Sequence, residues 1–301
     1  MIYDVRQTTT CSYATPVAYA RHVLRLTPVS RDGERVHVAA LQIMPEPAHR
    51  REGQDFFGNR LTWIDVDTPH ETLTVKLSAR VAVDPEPPPA VTPPWEEVRE
   101  EAFATSDIGP MSPAHFLFPS RIVSIDPEIR DYVRQSFTPG RPVLEAAVEL
   151  IGRIKADMVY EIGATTVTTT PPMSFALRRG VCQDFAHIMI SGLRGIGLPA
   201  AYVSGYLRTA PRDGTARLQG ADAMHAWVFL WCGPPPSSPA SGGGKRGGWI
   251  GLDPTNAVLA SEDHVMLAVG RDYTDVAPMD GVILGSGGQR IDVSVNVNPA
   301  G

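Results

Sequence analysis

The sequence predicts an α+β chain in two parts: an N-terminal antiparallel β-sandwich, then a domain that mixes helices with a sheet. Three observations carry this. Residues 1–85 hold short runs of alternating or β-branched character with little helical periodicity. Asp84-Pro85-Glu86-Pro87-Pro88-Pro89 through Pro93-Pro94 is a proline-rich connector, stiff and extended. Beyond it, helical stripes come first and apolar strands follow. The expected boundaries are 1–85 for the sandwich, 86–115 for the linker and 116–301 for the second domain, with a flexible insertion at 233–248.

The sandwich rests on Ile2 to Tyr13, Ala20 to Leu26, Arg35 to Ile43, Arg60 to Val66 and Glu71 to Val83 as strands. Breaks fall at Asp32-Gly33, Pro45-Glu46-Pro47, Gly58-Asn59 and Thr68-Pro69. His22, His37, His49 and His70 lie here without a spacing that gathers them on a metal, so packing or solvated roles are expected. In the second domain Trp95 to Phe103, Asp126-Pro127 to Phe137 and Val143 to Val159 read as helices, the last with a Val143, Ala147, Leu150, Ile151, Ile154 stripe. Met173 to Arg179 reads as a short helix stopped by Gly180. Val181, Phe185, Ile188, Met189, Leu193 and Ile196 then mark a largely buried helix. Ala200 to Leu207, Asp222 to Trp231 and Trp249 to Asp253 read as strands, and Val276 to Val297 as closing strands. Gly233 to Gly248 is low in complexity and reads as an outward hairpin loop.

At 301 residues the chain has ample apolar content for a core. A formal charge of −6 and a pI near 5.8, with no basic patch interleaved with aromatics, exclude a nucleic-acid reading. Met1-Ile2-Tyr3-Asp4-Val5-Arg6 begins like a strand rather than a signal peptide, and no long apolar run is present. A soluble, cytoplasmic protein with no membrane partner is therefore the expectation. Cys11, Cys182 and Cys232 are too few and too scattered for a disulfide framework or a metal site. No cofactor motif is present either.

One cysteine has a chemical context. Cys182 falls in the first turn of the buried helix, where free N–H groups and the helix dipole favour a thiolate. His225 lies on an aromatic-rich strand, and Asp253 ends the next strand because Pro254 cannot extend the ladder. Nucleophile, base and orienting acid thus follow one another: Cys182 attacks, His225 takes its proton, and Asp253 orients the imidazole. Asp222 competes for the acid role, but three residues from His225 on one strand it points to the opposite face. Asp184 and His187 are expected to support the helix rather than react.

Gly-Val-Cys-Gln-Asp-Phe-Ala-His at 180–187, His-Ala-Trp at 225–227 and Asp-Pro-Thr-Asn at 253–256 resemble the three signature segments of the transglutaminase-like superfamily. More narrowly, the chain resembles bacterial transglutaminase-like proteins labelled candidate cysteine proteases, which carry an N-terminal β-domain before a papain-related core. Phe57-Gly58-Asn59, His22 to Leu26 and Val269 to Val276 extend the resemblance over most of the chain. It implies acyl transfer through a Cys182 thioester, with the Cys182 N–H and one further donor as oxyanion hole. A peptide or protein is the implied acyl substrate. Resolution by water makes a protease or amidase; resolution by a primary amine makes a transglutaminase, and the same three residues serve both. A non-catalytic interaction module and an acyltransferase of the arylamine-acetylating kind are the remaining alternatives. There is no acidic loop suited to calcium.

Overall fold

The computed structural model describes residues 1–209, 211, 213–221, 223–234 and 248–300. Strands β1 (Ile2–Val17), β2 (Tyr19–Leu24), β3 (Glu34–Met44), β4 (His49–Gln54), β5 (Arg60–Val66) and β6 (His70–Val83) precede the first helix. Alternation makes β1 and β6: Tyr3, Val5 and Cys11 on one and Leu73, Val75, Leu77 and Val81 on the other turn inward between more exposed neighbours. Strand β4 was not legible in the pattern, since its sequence HRREGQ lacks apolar alternation. It lies on a sheet edge, where Glu52 pairs with Arg50 and Arg60 and the Arg51 guanidinium sits 4.3 Å from the Trp63 ring centre.

The second part runs α1 (Trp95–Ala104), α2 (Pro127–Arg134), α3 (Val143–Asp157), β7 (Val159–Tyr160), α4 (Pro171–Leu177), β8 (Arg179–Gly180) and α5 (Cys182–Gly195). It continues with β9 (Ala200–Leu207), β10 (Met224–Trp231), β11 (Trp249–Asp253), β12 (Val258–Leu259), β13 (His264–Gly270) and α6 (Tyr273–Val276). Asp126 caps α2 by accepting from the N–H groups of Glu128 and Ile129, with Pro127 at the first helical position. The α3 stripe is buried as the periodicity requires. Helix α4 ends earlier than expected: Arg178 takes a left-handed conformation (φ 54°), its guanidinium 3.9 Å from the Phe175 ring centre. Gly180 instead lies in β8, where a β-carbon would stand 2.5 Å from the Asp184 carboxylate.

Every residue of α5 from Cys182 to Arg194 is buried, as a helix enclosed on all sides must be. It packs on β9 and β10 and against α2 and α4. The sheet behind it is antiparallel in the order β12-β11-β10-β9-β13. Its opposite face, with Ala201, Val203, Trp227 and Val269, is covered by Phe57 and Phe116. Strands β10 and β11 are closed by the Cys232 N–H on the Gly248 carbonyl (2.8 Å). Most of the 233–248 insertion, residues 235–247, lies outside the described residues.

The C-terminal strands do not stay with the second domain. Strand β14 (Met279–Leu284) pairs with β2, and β15 (Gln289–Pro299) pairs with β1 over its length, Ile291 opposite Cys11 and Val297 opposite Val5. The N-terminal sheets are therefore β15-β1-β6-β3 and β14-β2-β5-β4, sharing one apolar core. The expected end of the second domain at 301 moves back to about 277, because both strands complete N-terminal sheets. No helix among the described residues is long and apolar enough to cross a membrane.

Helices α2 and α5 approach closely at Gly192, where an added β-carbon would lie 2.1 Å from Val133 Cγ2. Gly192→Ala should cost about 1–3 kcal/mol of unfolding free energy in urea denaturation; an unchanged midpoint would contradict this packing.

Candidate functional site

The cap of α5 sets the position of Cys182. Asp184, three residues beyond Val181, accepts from the Val181 N–H (2.8 Å) and the Thr165 hydroxyl (2.6 Å), fixing the helix start and a loop beside it. Cys182 is the first helical residue and is 8 % exposed. The Gln183 amide donates to the Val167 carbonyl (3.2 Å), tying the same loop down. His187 sits deeper, its Nε2 accepting from the Tyr273 N–H. Asp184 and His187 thus serve the scaffold.

His225, the second residue of β10, and Asp253, the last of β11, meet in a fully buried pair: His225 Nε2 donates to Asp253 Oδ2 at 2.9 Å. The turn after Asp253 shapes this carboxylate. Pro254 brings no N–H, so Asp253 Oδ1 accepts from the backbone of Thr255 (2.9 Å) and Asn256 (3.2 Å), and Oδ2 from the Asn256 side chain (2.7 Å). Asn256 also exchanges hydrogen bonds with the backbone N–H and carbonyl of Gln219. Gly220 is thereby held against the imidazole: at φ 88°, a β-carbon there would lie 2.7 Å from His225 Nδ1. Asp222, the competing acid, lies outside the described residues.

A further residue joins the carboxylate. His264, first in β13, donates from Nε2 to Asp253 Oδ2 at 3.3 Å, while its Nδ1 accepts from the Ser261 N–H, which fixes the tautomer. Its only sequence signal is a polar residue opening the apolar run His264 to Gly270. The ligand-type atoms of His225, Asp253 and His264 lie within 4.8 Å of one another. Both Nε2 atoms act as donors here and the carboxylate is saturated with N–H groups, so the chemistry is that of a hydrogen-bonded cluster rather than a metal cage.

Electrostatics follow from this burial. Desolvation opposes a charged His225, but Asp253 and the Cys182 sulfur outweigh it and push the imidazole pKa up to about 10. Burial opposes the Asp253 charge too, and His225 and His264 outweigh that, holding the carboxyl well below the usual carboxylate range. His225 Nδ1 has no hydrogen bond of ordinary geometry; the Cys182 sulfur acts on the ring from nearby. Tyr160 and Tyr202 also border Cys182. The phenol of Tyr160 is pushed up to about 12 by burial and by the charges of Cys182 and Asp253.

Residues 3–82 match the family model for the bacterial transglutaminase-like N-terminal region, and 130–254 that for the transglutaminase-like superfamily. Uncharacterized proteins of Mycobacterium tuberculosis and Mycobacterium bovis are each 39% identical over 281 residues, 91% of this chain and 85% of theirs. One of Mycobacterium leprae is 32% identical over 286 residues, 95% and 94% of the two chains. The crystal structure of a candidate cysteine protease from Cytophaga hutchinsonii shares the fold, with a TM-score of 0.74 at 20% identity over 100% of this chain and 92% of that one.

The charged His225 ring stabilises the fold over a definite pH range. Stabilisation from the charged ring is complete below the unfolded value of 6.5 and is lost as pH rises through about 10. In an NMR titration the His225 ring should remain charged at pH ~8. In Asp253→Asn, with burial left to dominate, it should lose its proton below the ordinary value. A wild-type ring neutral at that pH would contradict the assignment.

Proposed function

This chain belongs to the transglutaminase-like superfamily, with the bacterial transglutaminase-like N-terminal region ahead of its core, and from that premise we propose a thiol-dependent acyl-transfer enzyme. Cys182 is the nucleophile, His225 the proton carrier and Asp253 the residue that orients it. The observation that carries the reading is the buried 2.9 Å bond from His225 Nε2 to Asp253 Oδ2, with the Cys182 sulfur acting on the same ring.

The Cys182 thiolate adds to an amide carbonyl, and the oxyanion takes the Cys182 N–H, one of the first-turn donors without an intrahelical partner. The intermediate expels the amine, which leaves with the proton from the His225 imidazolium, and a thioester remains. His225, now neutral, deprotonates a water that attacks the thioester. The acid departs, and the thiolate–imidazolium pair is restored. The outcome is hydrolysis of a peptide or side-chain amide. The fold is shared with the Cytophaga hutchinsonii candidate cysteine protease; the same three residues would also serve transfer to an amine, and the test distinguishes the two.

The test is mass spectrometry of a mixed peptide pool incubated with the protein, with and without a fluorescent primary amine. The expected result is Cys182-dependent hydrolysis, lowered on the order of 10⁴-fold in Cys182→Ala. Products carrying the amine in place of water would overturn the hydrolytic reading in favour of a transglutaminase. Turnover that survives Cys182→Ala would overturn the mechanism.

A further inference from the structure

We propose that the two N-terminal sheets act as a clamp on β13, and that through this strand they hold His264 as a positioning residue for Asp253. The inference rests on reading Cys182, His225 and Asp253 as the reacting groups, and it gives the N-terminal region a function in the reaction.

Strand β13 is the outer strand of its sheet and pairs on one side only, with β9. The backbone groups along its free edge need partners. Side chains from the N-terminal sheets and their loops supply them where another strand would otherwise lie. The Met266 N–H donates to Glu34 Oε2 at 2.7 Å. Asn59 takes the Val269 N–H on Oδ1 (2.9 Å) and returns Nδ2 to the Val269 carbonyl (2.8 Å), the two-way exchange of a paired strand residue. Just before His264, the Tyr3 hydroxyl donates to Asp263 Oδ1 at 3.3 Å, and Arg208 forms an ion pair with the same side chain.

These clamp residues are themselves held. Asn59 is 1 % exposed; its amide also donates to Asp55 Oδ2 (2.9 Å) and accepts from Arg31 (2.7 Å), so all its hydrogen-bonding capacity is used. Between the Glu34 and Asn59 anchors, β13 carries a bulge at Met266–Ala268. Val265 and Leu267 are buried in the same apolar cluster as the N-terminal sheets. The strand is thus gripped at Asp263, Met266 and Val269, and His264 lies inside that grip. Its ring is fixed at both nitrogens, by the Ser261 N–H and by Asp253 Oδ2. A carboxylate with an added fixed donor has less freedom to turn from His225, so N-terminal contacts reach the reacting pair through one strand.

The readout is iodoacetamide alkylation of Cys182 in the full chain, followed by peptide mass spectrometry at about pH 6 and about pH 9. At the lower pH the rate reports the thiolate–imidazolium pair, and at the higher pH mainly access. His264→Phe should slow alkylation about tenfold at the lower pH and leave the higher-pH rate unchanged, and His264→Gln, which keeps an N–H donor near Nε2, should restore it. Asn59→Ala should act in the same direction, about threefold. Tyr3→Phe, which removes a single hydroxyl, gives a mild second variant should Asn59→Ala fail to fold. Simple loosening would instead speed alkylation at both pH values. Folded His264→Phe with a wild-type profile overturns the role of His264. Wild-type profiles in the folded N-terminal variants overturn the clamp. Failure of the catalytic reading looks different: wild-type Cys182 would then react no faster than free cysteine at the lower pH, and the inference would fall with it.

Discussion

The structure depends on one buried carboxylate. Asp253 is fully enclosed and remains an acceptor because five N–H groups converge on it: two from the turn backbone, one from Asn256 and two from histidine rings. A buried anion without such partners would take up a proton. With them, its negative charge is available to the His225 ring. Much of the surrounding architecture serves to bring these donors together. Two strands end near one another, a proline-containing turn folds its own N–H groups back, and β13 delivers a histidine from the far side of the sheet.

The two parts of the chain are less separable than a linker suggests. Strands β14 and β15 return to pair with β2 and β1, so the N-terminal sheets contain both ends of the chain. Tyr206 of β9 and Val265 and Leu267 of β13 lie in the apolar cluster of the two N-terminal sheets. The Thr209 N–H on the Val297 carbonyl adds a backbone tie. Such a construction resists relative motion, because moving one part exposes core residues of the other.

The places of Cys182, His225 and Asp253 in the fold were legible because each has a local signal: a helix start, an aromatic strand, and a strand stopped by proline. His264 was not. Its meeting with Asp253 is a tertiary contact between strands that are not neighbours in the sheet, β13 and β11, and alternation within a run says nothing about which residue of another strand it will meet. The same limit explains the C-terminal strands: Ile291, Val293, Val295 and Val297 announce a strand but not that it joins β1. Strand β4 escaped for the opposite reason, since charged pairs rather than apolar alternation hold it to the edge. Gly220 and Asn256 acquire their places against His225 and Asp253 only through the tertiary hydrogen bonds with Gln219.

In the proposed chemistry Asp253 holds His225 as the proton carrier for Cys182. The most direct test is thiolate ultraviolet absorbance as a function of pH, taken as the difference between wild type and Cys182→Ser. Cys11 and Cys232 contribute little to this difference, because burial pushes both thiols up. His225→Ala and Asp253→Asn should each move this signal to higher pH. A signal indifferent to both substitutions would contradict a role for His225 and Asp253 at Cys182.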